Sequence, residues 1–225
     1  TSTSLVFSTS PTVSYLSLAA GTATAGQSPL KMTSGTNLTV AEAGAHEYDG
    51  SFFYFTPGVT SGRAFLPANY DFRLAANAAA QGATIFDYFG ATSSINLEAS
   101  SGYEIEIYAY FTKTTAGTAT WTLTCSSAPT LLTGYYIASP ITGIAAGAFT
   151  SGYTGSQGAT TAAFAATGTL STGVNHWFQF KVQIVTNAAT NFRLQLTQSA
   201  GTATPLAGSY YRVFSISPST GSFAA

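Results

Sequence analysis

From Tyr103 to Phe111 every second residue falls on the same side of an extended chain: Tyr103, Ile105, Ile107, Ala109 and Phe111 on one face, Glu104, Glu106, Tyr108 and Tyr110 on the other. The two-residue period returns at Phe178, Phe180, Val182 and Ile184, which alternate with Gln179, Lys181 and Gln183. It returns again at Phe192, Leu194 and Leu196. Side chains alternate between faces only in a strand, so this period lays one face of each segment against a core. Thr, Val, Ile, Tyr and Phe suit such a pleated, half-buried surface. A helical period persists almost nowhere. The pattern predicts an all-β chain, an antiparallel and jelly-roll-like β-sandwich. Residues 175–199 read as two long antiparallel strands, with 186–191 as the hairpin loop between them.

Composition divides the chain further. Residues 1–28 are rich in Ser, Thr and Ala and hold few large apolar side chains, too few to bury a core of their own. They read as an extended N-terminal arm. Residues 29–66 carry tight turns at Thr33-Ser34-Gly35 and Asp49-Gly50 and the aromatic run Phe52-Phe53-Tyr54-Phe55, and read as a small β motif. Residues 67–225 hold the long alternating segments and are assigned to the sandwich. Within them the Gly/Ala/Thr-rich stretch 142–169 reads as short strands with exposed loops, where binding tends to sit. The string Ala-Gly-Thr-Ala-Thr occurs at 20–24, 116–120 and 200–204. The copies are unequally spaced and too far apart for a solenoid, so they read as recurrent turn chemistry.

The charge content is unusual for a soluble domain. Seven Lys/Arg and eight Asp/Glu make up 7% of 225 residues, with a formal net charge of -1, against roughly a quarter charged residues in an ordinary domain. Copies of such a chain barely repel one another, which points to a surface covered by further copies or by a larger assembly. The basic residues stand singly, and a phosphate backbone needs a clustered patch, so no nucleic-acid partner is expected. No apolar stretch approaches the ~18 residues of a membrane-spanning helix, and no membrane partner is expected. The N-terminal stretch has neither the basic nor the apolar region of a signal peptide. Cys125, the single cysteine, alternates with Trp121 and Leu123 and reads as a core residue.

Catalytic chemistry finds few candidates. His176 opens an alternating segment and reads as a hydrogen-bonded structural histidine. His46 lies among Glu42, Glu47 and Asp49, the densest set of possible metal ligands. Zinc asks for three or four such ligands and calcium for several oxygens at tight spacing. The favoured role for these carboxylates is local hydrogen bonding and an ion pair to Arg63, with an intersubunit contact as the alternative. Glu104 and Glu106, about 6.5–7 Å apart along a strand, read as paired edge or interface charges rather than a glycosidase pair. No cofactor and no enzymatic activity are expected. Thirteen tyrosines, sixteen phenylalanines and two tryptophans fill the core and interfaces on this reading. Tyr135-Tyr136, Tyr210-Tyr211 and 52–55 are candidates for contacts or for stacking on sugars. Tyr108, Tyr110 and Trp177, on the outward faces, are expected to meet a neighbouring subunit.

The segment 15–63 carries a further signal. Its strings Pro29-Leu30-Lys31, Thr33-Ser34-Gly35, Leu38-Thr39, Glu42-Ala43-Gly44-Ala45 and Glu47-Tyr48-Asp49-Gly50, followed by Phe53-Tyr54 and Arg63, resemble a motif of tailed-bacteriophage virion structural and tail-fibre proteins. The string 192–217 is similar to terminal strands of phage structural proteins. In that pattern His46 replaces a residue that is commonly apolar, and no adaptor domain precedes the motif. The resemblance implies a capsid decoration, cement or head-fibre protein on the virion, on the capsid exterior rather than the tail. It also implies a homotrimer bound to the major capsid protein or other virion proteins. The alternative is a short tail-fibre or knob protein that binds host surface glycans through the 142–169 loops.

Overall fold

The computed structural model describes residues 17–18, 20–23, 28–40, 42–50, 52–57, 64–66, 69–90, 93–140, 150–167 and 169–216. Most of the arm expected at 1–28, residue Arg63, and residues 142–149 and 168 of the Gly/Ala/Thr-rich stretch lie outside the described residues. Every regular element among the described residues is a strand. The chain divides into two compact units, Thr1–Ala64 and Phe65–Ala225.

In the first unit β1 (His46–Tyr48) and β2 (Phe53–Phe55) pair antiparallel around the Asp49-Gly50 turn; β3 (Ala64–Leu66) lies at the boundary between the two units.

The second unit is an antiparallel β-sandwich. Its strands are β4 (Asn69–Arg73), β5 (Phe86–Asp87), β6 (Ile95–Leu97), β7 (Gly102–Lys113), β8 (Ala119–Cys125), β9 (Leu131–Pro140), β10 (Thr150–Ser156), β11 (Thr161–Ala163), β12 (Asn175–Val185), β13 (Thr190–Gln198), β14 (Ala203–Pro205) and β15 (Tyr210–Ser215). The larger sheet has seven strands in the order β10-β9-β12-β7-β15-β4, with β14 sharing the β15 edge of β7. The smaller has five in the order β11-β8-β13-β5, with β6 beside β5 on the same edge of β13.

The core lies where the period of two placed it. Ile105, Ile107, Ala109 and Phe111 of β7 and Phe178, Phe180, Val182 and Ile184 of β12 are buried. They face Trp121, Leu123 and Cys125 of β8 and Phe192, Leu194 and Leu196 of β13. Trp121 is the largest of the fully buried side chains. Its ring centroid lies 5.3 Å from Tyr88, 5.7 Å from Phe111, 5.2 Å from Phe178 and 5.0 Å from Phe180.

The expected hairpin at 186–191 is not one. Both flanking strands exist, but β12 belongs to the seven-stranded sheet and β13 to the five-stranded one, so the connection crosses the sandwich. A tight hairpin of twisted strands needs positive φ in its loop, and no residue of Thr186–Asn191 has it. Buried Thr186 and Thr190 anchor the crossing instead. The Thr186 hydroxyl accepts from the Ser101 N–H at 2.9 Å and donates to the Glu98 carbonyl at 2.5 Å. The Thr190 hydroxyl accepts from the Ser127 N–H at 3.0 Å.

Two copies of the Ala-Gly-Thr-Ala-Thr string meet at one end of the sandwich, each glycine for its own reason. Gly201 sits at φ +70°, and a Cβ there would lie 2.6 Å from the Thr115 Cβ. Gly117 has no positive φ, but a Cβ would come within 2.6 Å of the Ser199 hydroxyl, which receives the Thr118 N–H at 2.9 Å. One glycine makes a turn and the other a close approach.

Gly201→Ala is expected to lower unfolding stability by about 1–3 kcal/mol, because it adds a strained backbone to a clash. Trp121→Ala is expected to cost about 3–5 kcal/mol through the cavity it leaves. Urea denaturation of the two variants against the parent chain checks both.

Candidate functional site

The outer face of the seven-stranded sheet gathers most of the chemistry of the second unit. Register builds it. One cross-strand row runs Tyr153, Tyr135, Lys181, Glu106, Arg212, Asp71 over six strands. The adjacent row holds Gln179, Tyr108, Tyr210 and Arg73, and Trp177 pairs with Tyr110 beyond it.

Among the described residues the charges on this face sum to zero, and all but Arg73 are paired. Lys181 Nζ reaches diagonally to Glu104 at 3.0 Å, and Arg212 Nε to Asp71 at 3.1 Å, with Arg212 NH1 4.0 Å from Glu106. The bonded carboxylates Glu104 and Asp71 raise the affinity of Lys181 and Arg212, respectively, for their protons. β7 is a central strand, so Glu104 and Glu106 are not edge charges. Each faces a cation from a neighbouring strand, Glu104 that of Lys181 and Glu106 that of Arg212.

The aromatics of the face divide into two groups. Tyr108 stacks on Tyr210 at 4.5 Å, its hydroxyl accepts from Gln179 Nε2 at 2.8 Å, and Arg212 sits over the Tyr210 ring at 5.8 Å. Tyr108, Tyr110 and Trp177 are half-buried. Tyr135 and Tyr153, by contrast, are 52% and 87% exposed. They border an open depression of about 370 Å³ together with Glu104, Thr133, Gly134, Lys181 and Gln183. The tyrosine doublets therefore split by the strand period: Tyr135 and Tyr210 face outward, while Tyr136 and Tyr211 are buried.

In the first unit the sequence-selected carboxylates fold the motif on itself. Glu47 Oε1 accepts the Leu38 N–H at 2.6 Å. Asp49 accepts the Phe52 N–H at 2.8 Å on one oxygen and the Tyr54 hydroxyl at 2.7 Å on the other. The Tyr48 hydroxyl donates to the Gly50 carbonyl at 2.8 Å, and its ring stacks on Phe53 at 4.5 Å. His46 packs on Phe55 at 4.8 Å. Glu42 is exposed and offers its backbone carbonyl to the Ala45 N–H at 3.0 Å. Among the described residues no three of His, Cys, Asp and Glu gather as a metal-ligand set.

A buried polar cluster at the Gly201 end escaped the sequence reading. Lys113 is 2% exposed, and its Nζ donates to Gln198 Oε1 at 2.8 Å and to the Ala200 carbonyl at 3.4 Å. Gln198 Nε2 donates onward to the Gln81 and Gly82 carbonyls at 2.8 and 3.1 Å. Burial draws the Lys113 ammonium below the ordinary lysine range. The alternation contained the signal, because Lys113 is in phase with Phe111 and Gln198 with Leu196. His176, fully buried, places Nε2 2.9 Å from the Ser171 carbonyl and leaves Nδ1 without a partner. It is the structural histidine the sequence suggested. Burial lowers its pKa, the Ser171 bond acts against that, and the Lys113 charge adds to it. Cys125 is buried too, and burial pushes its thiol up to about 11, which leaves it unreactive near neutrality.

No protein-family model matches the chain, and no curated protein aligns with it.

A histidine whose folded pKa lies below its unfolded value of ~6.5 binds its proton more weakly in the fold. Its contribution to stability is complete above about pH 6.5 and is lost as pH falls through the lower folded value. The urea midpoint is expected to drop over that acid window in the parent chain and to drop less in His176→Gln, followed by tryptophan fluorescence.

Proposed function

We propose that this protein is a bacteriophage virion structural protein that decorates or cements the capsid exterior as a homo-oligomer. The observation that carries the reading is the outer face of the seven-stranded sheet, where half-buried aromatics stand among charges that sum to zero and, apart from Arg73, are paired. Such a face presents little net field to repel a second copy and has rings ready to complete their burial against it. The resemblance of the strings at 15–63 and 192–217 to phage virion proteins is what suggests the virion setting and a trimer. Closed three-fold association would cover the Tyr108, Tyr110 and Trp177 part of this face without open-ended stacking. The alternative, a short fibre or knob that binds host glycans, is favoured by the exposed Tyr135 and Tyr153 at their depression.

Analytical ultracentrifugation at micromolar concentration is expected to give a species near three times the 23.1 kDa chain mass. Trp177→Asp, which places a charge in the half-buried aromatic group, is expected to shift it to monomer. A parent chain that sediments as monomer defeats the oligomeric reading. Image reconstruction of the intact particle with density at the tail alone defeats the capsid placement.

A further inference from the structure

The Tyr135–Tyr153 depression differs from the rest of the same face. Elsewhere the outward tyrosines are half-buried, and Tyr108 and Tyr210 stack on each other. Here two rings on paired strand positions remain open, Tyr153 at 87% exposure and Tyr135 at 52%. A ring left open on a strand offers its electron-rich π face to whatever docks there. Beside them Lys181 Nζ and a Glu104 oxygen lie 3.0 Å apart. The ammonium keeps two further N–H donors and the carboxylate keeps unused lone pairs. Gln183 is exposed on the same rim and adds an amide with both donor and acceptor. The local charge is zero, since the one cation and the one anion are paired.

We propose that this depression is a binding site for a neutral pyranose oligosaccharide. The chemistry matches point by point. The C–H face of a pyranose carries weak positive charge and stacks on an aromatic ring. Each sugar hydroxyl both donates and accepts, and an ammonium beside a carboxylate at one hydrogen-bond length meets neighbouring hydroxyls with one group of each kind. A uronate or sialate would find no unpaired cation, which selects neutral sugars. The volume, about 370 Å³, lies at the small end of the ~300–1,000 Å³ of ligand pockets and suits one or two rings of a chain that runs on into solvent. The strands that carry these residues are paired at this level, Tyr153 with Tyr135 and Tyr135 with Lys181, so strand pairing fixes the backbone of the site. This site names a ligand class and residues for the glycan-binding alternative. It does not rest on the capsid placement, and either can fail alone.

The test is binding of the full chain to an array of neutral glycans, followed by saturation-transfer NMR with maltotriose, cellotriose and chitotriose as probes. Binding of at least one neutral glycan is expected, with an affinity loss of about tenfold or more in Tyr153→Ala and in Tyr135→Ala. Lys181→Met is expected to weaken it as well. Arg212→Met, on the same row but outside the depression, is expected to leave it unchanged, as are the thermal melt and oligomeric state of Tyr153→Ala. Three results would overturn the proposal: no neutral glycan bound, binding that survives both tyrosine substitutions, or a change of oligomeric state in Tyr153→Ala, which would make the depression a contact between copies.

Discussion

The indole of Trp121, carried by the five-stranded sheet, is enclosed by Phe111, Phe178 and Phe180 of the seven-stranded sheet and by Tyr88. The rest of the sandwich is arranged about that contact. Phe178 and Phe180 also meet Tyr136, which packs edge-on against Phe164 at 5.2 Å, so the aromatic layer runs from the middle of the core toward the β10–β11 side. Tyr88 and Tyr211 join the layer while still bonding their hydroxyls, Tyr88 to the Tyr110 carbonyl and Tyr211 to the Leu194 N–H at 3.0 Å. Burial drives both phenols well above the ordinary tyrosine range. They are neutral pins between layers, each joining apolar area to one directional bond. Trp121 Nε1, in contrast, has no hydrogen-bond partner, an unmet donor that the surrounding rings have to offset by packing.

Much of this was legible because a strand exposes its burial pattern directly. The faces of 103–111, 177–184 and 192–196 were assigned from alternation alone, and each assigned apolar residue is buried. What alternation does not encode is which sheet a strand joins. β12 and β13 present the same inward period whether they are hairpin partners in one sheet or face each other across a core. No local letter decides between the two, since Asn187 and Asn191 can adopt the positive φ of a hairpin and only the structure shows that neither does. The phase of the alternation also ran further than its apolar letters. Lys113 and Gln198 continue the inward faces of β7 and β13 as polar residues, and a reading that stops at the last apolar side chain misses a buried ammonium.

The candidate site was harder to read than the fold, for a physical reason. Lys181 lies opposite Glu106 and Tyr135 in register but bonds diagonally to Glu104, and Glu106 is left to Arg212. Cross-strand neighbours come from segments far apart in sequence, so no local string could show that Tyr153, Tyr135 and Lys181 form one row. The tyrosine doublets could at most be flagged; the strand phase then turned one ring of each outward. In the first unit the relation is local. Asp49 bonds Phe52 and Tyr54 within its own turn, whereas Glu47 reaches Leu38 and Glu42 stands exposed, so the carboxylates act singly rather than as one cluster.

The scarcity of charge finds a structural counterpart on the smaller sheet. Its outer face holds Thr120, Thr122 and Thr124 of β8 opposite Thr197, Gln195 and Arg193 of β13. These groups are knitted together: the Thr124 hydroxyl donates to Gln195 Oε1 at 2.9 Å, Gln195 Nε2 donates to Asp87 at 2.8 Å, and Arg193 pairs with the other Asp87 oxygen at 3.1 Å. Among the described residues of this face, hydroxyls and amides accompany the one ion pair, Arg193 with Asp87. The opposite face of the sandwich places rings where this one places threonines. On the proposed assembly the ring-bearing face, although it also holds the paired charges, is the one that meets a neighbour. In such an assembly low total charge does not reduce the specificity of association; direction is set by which face carries the aromatics.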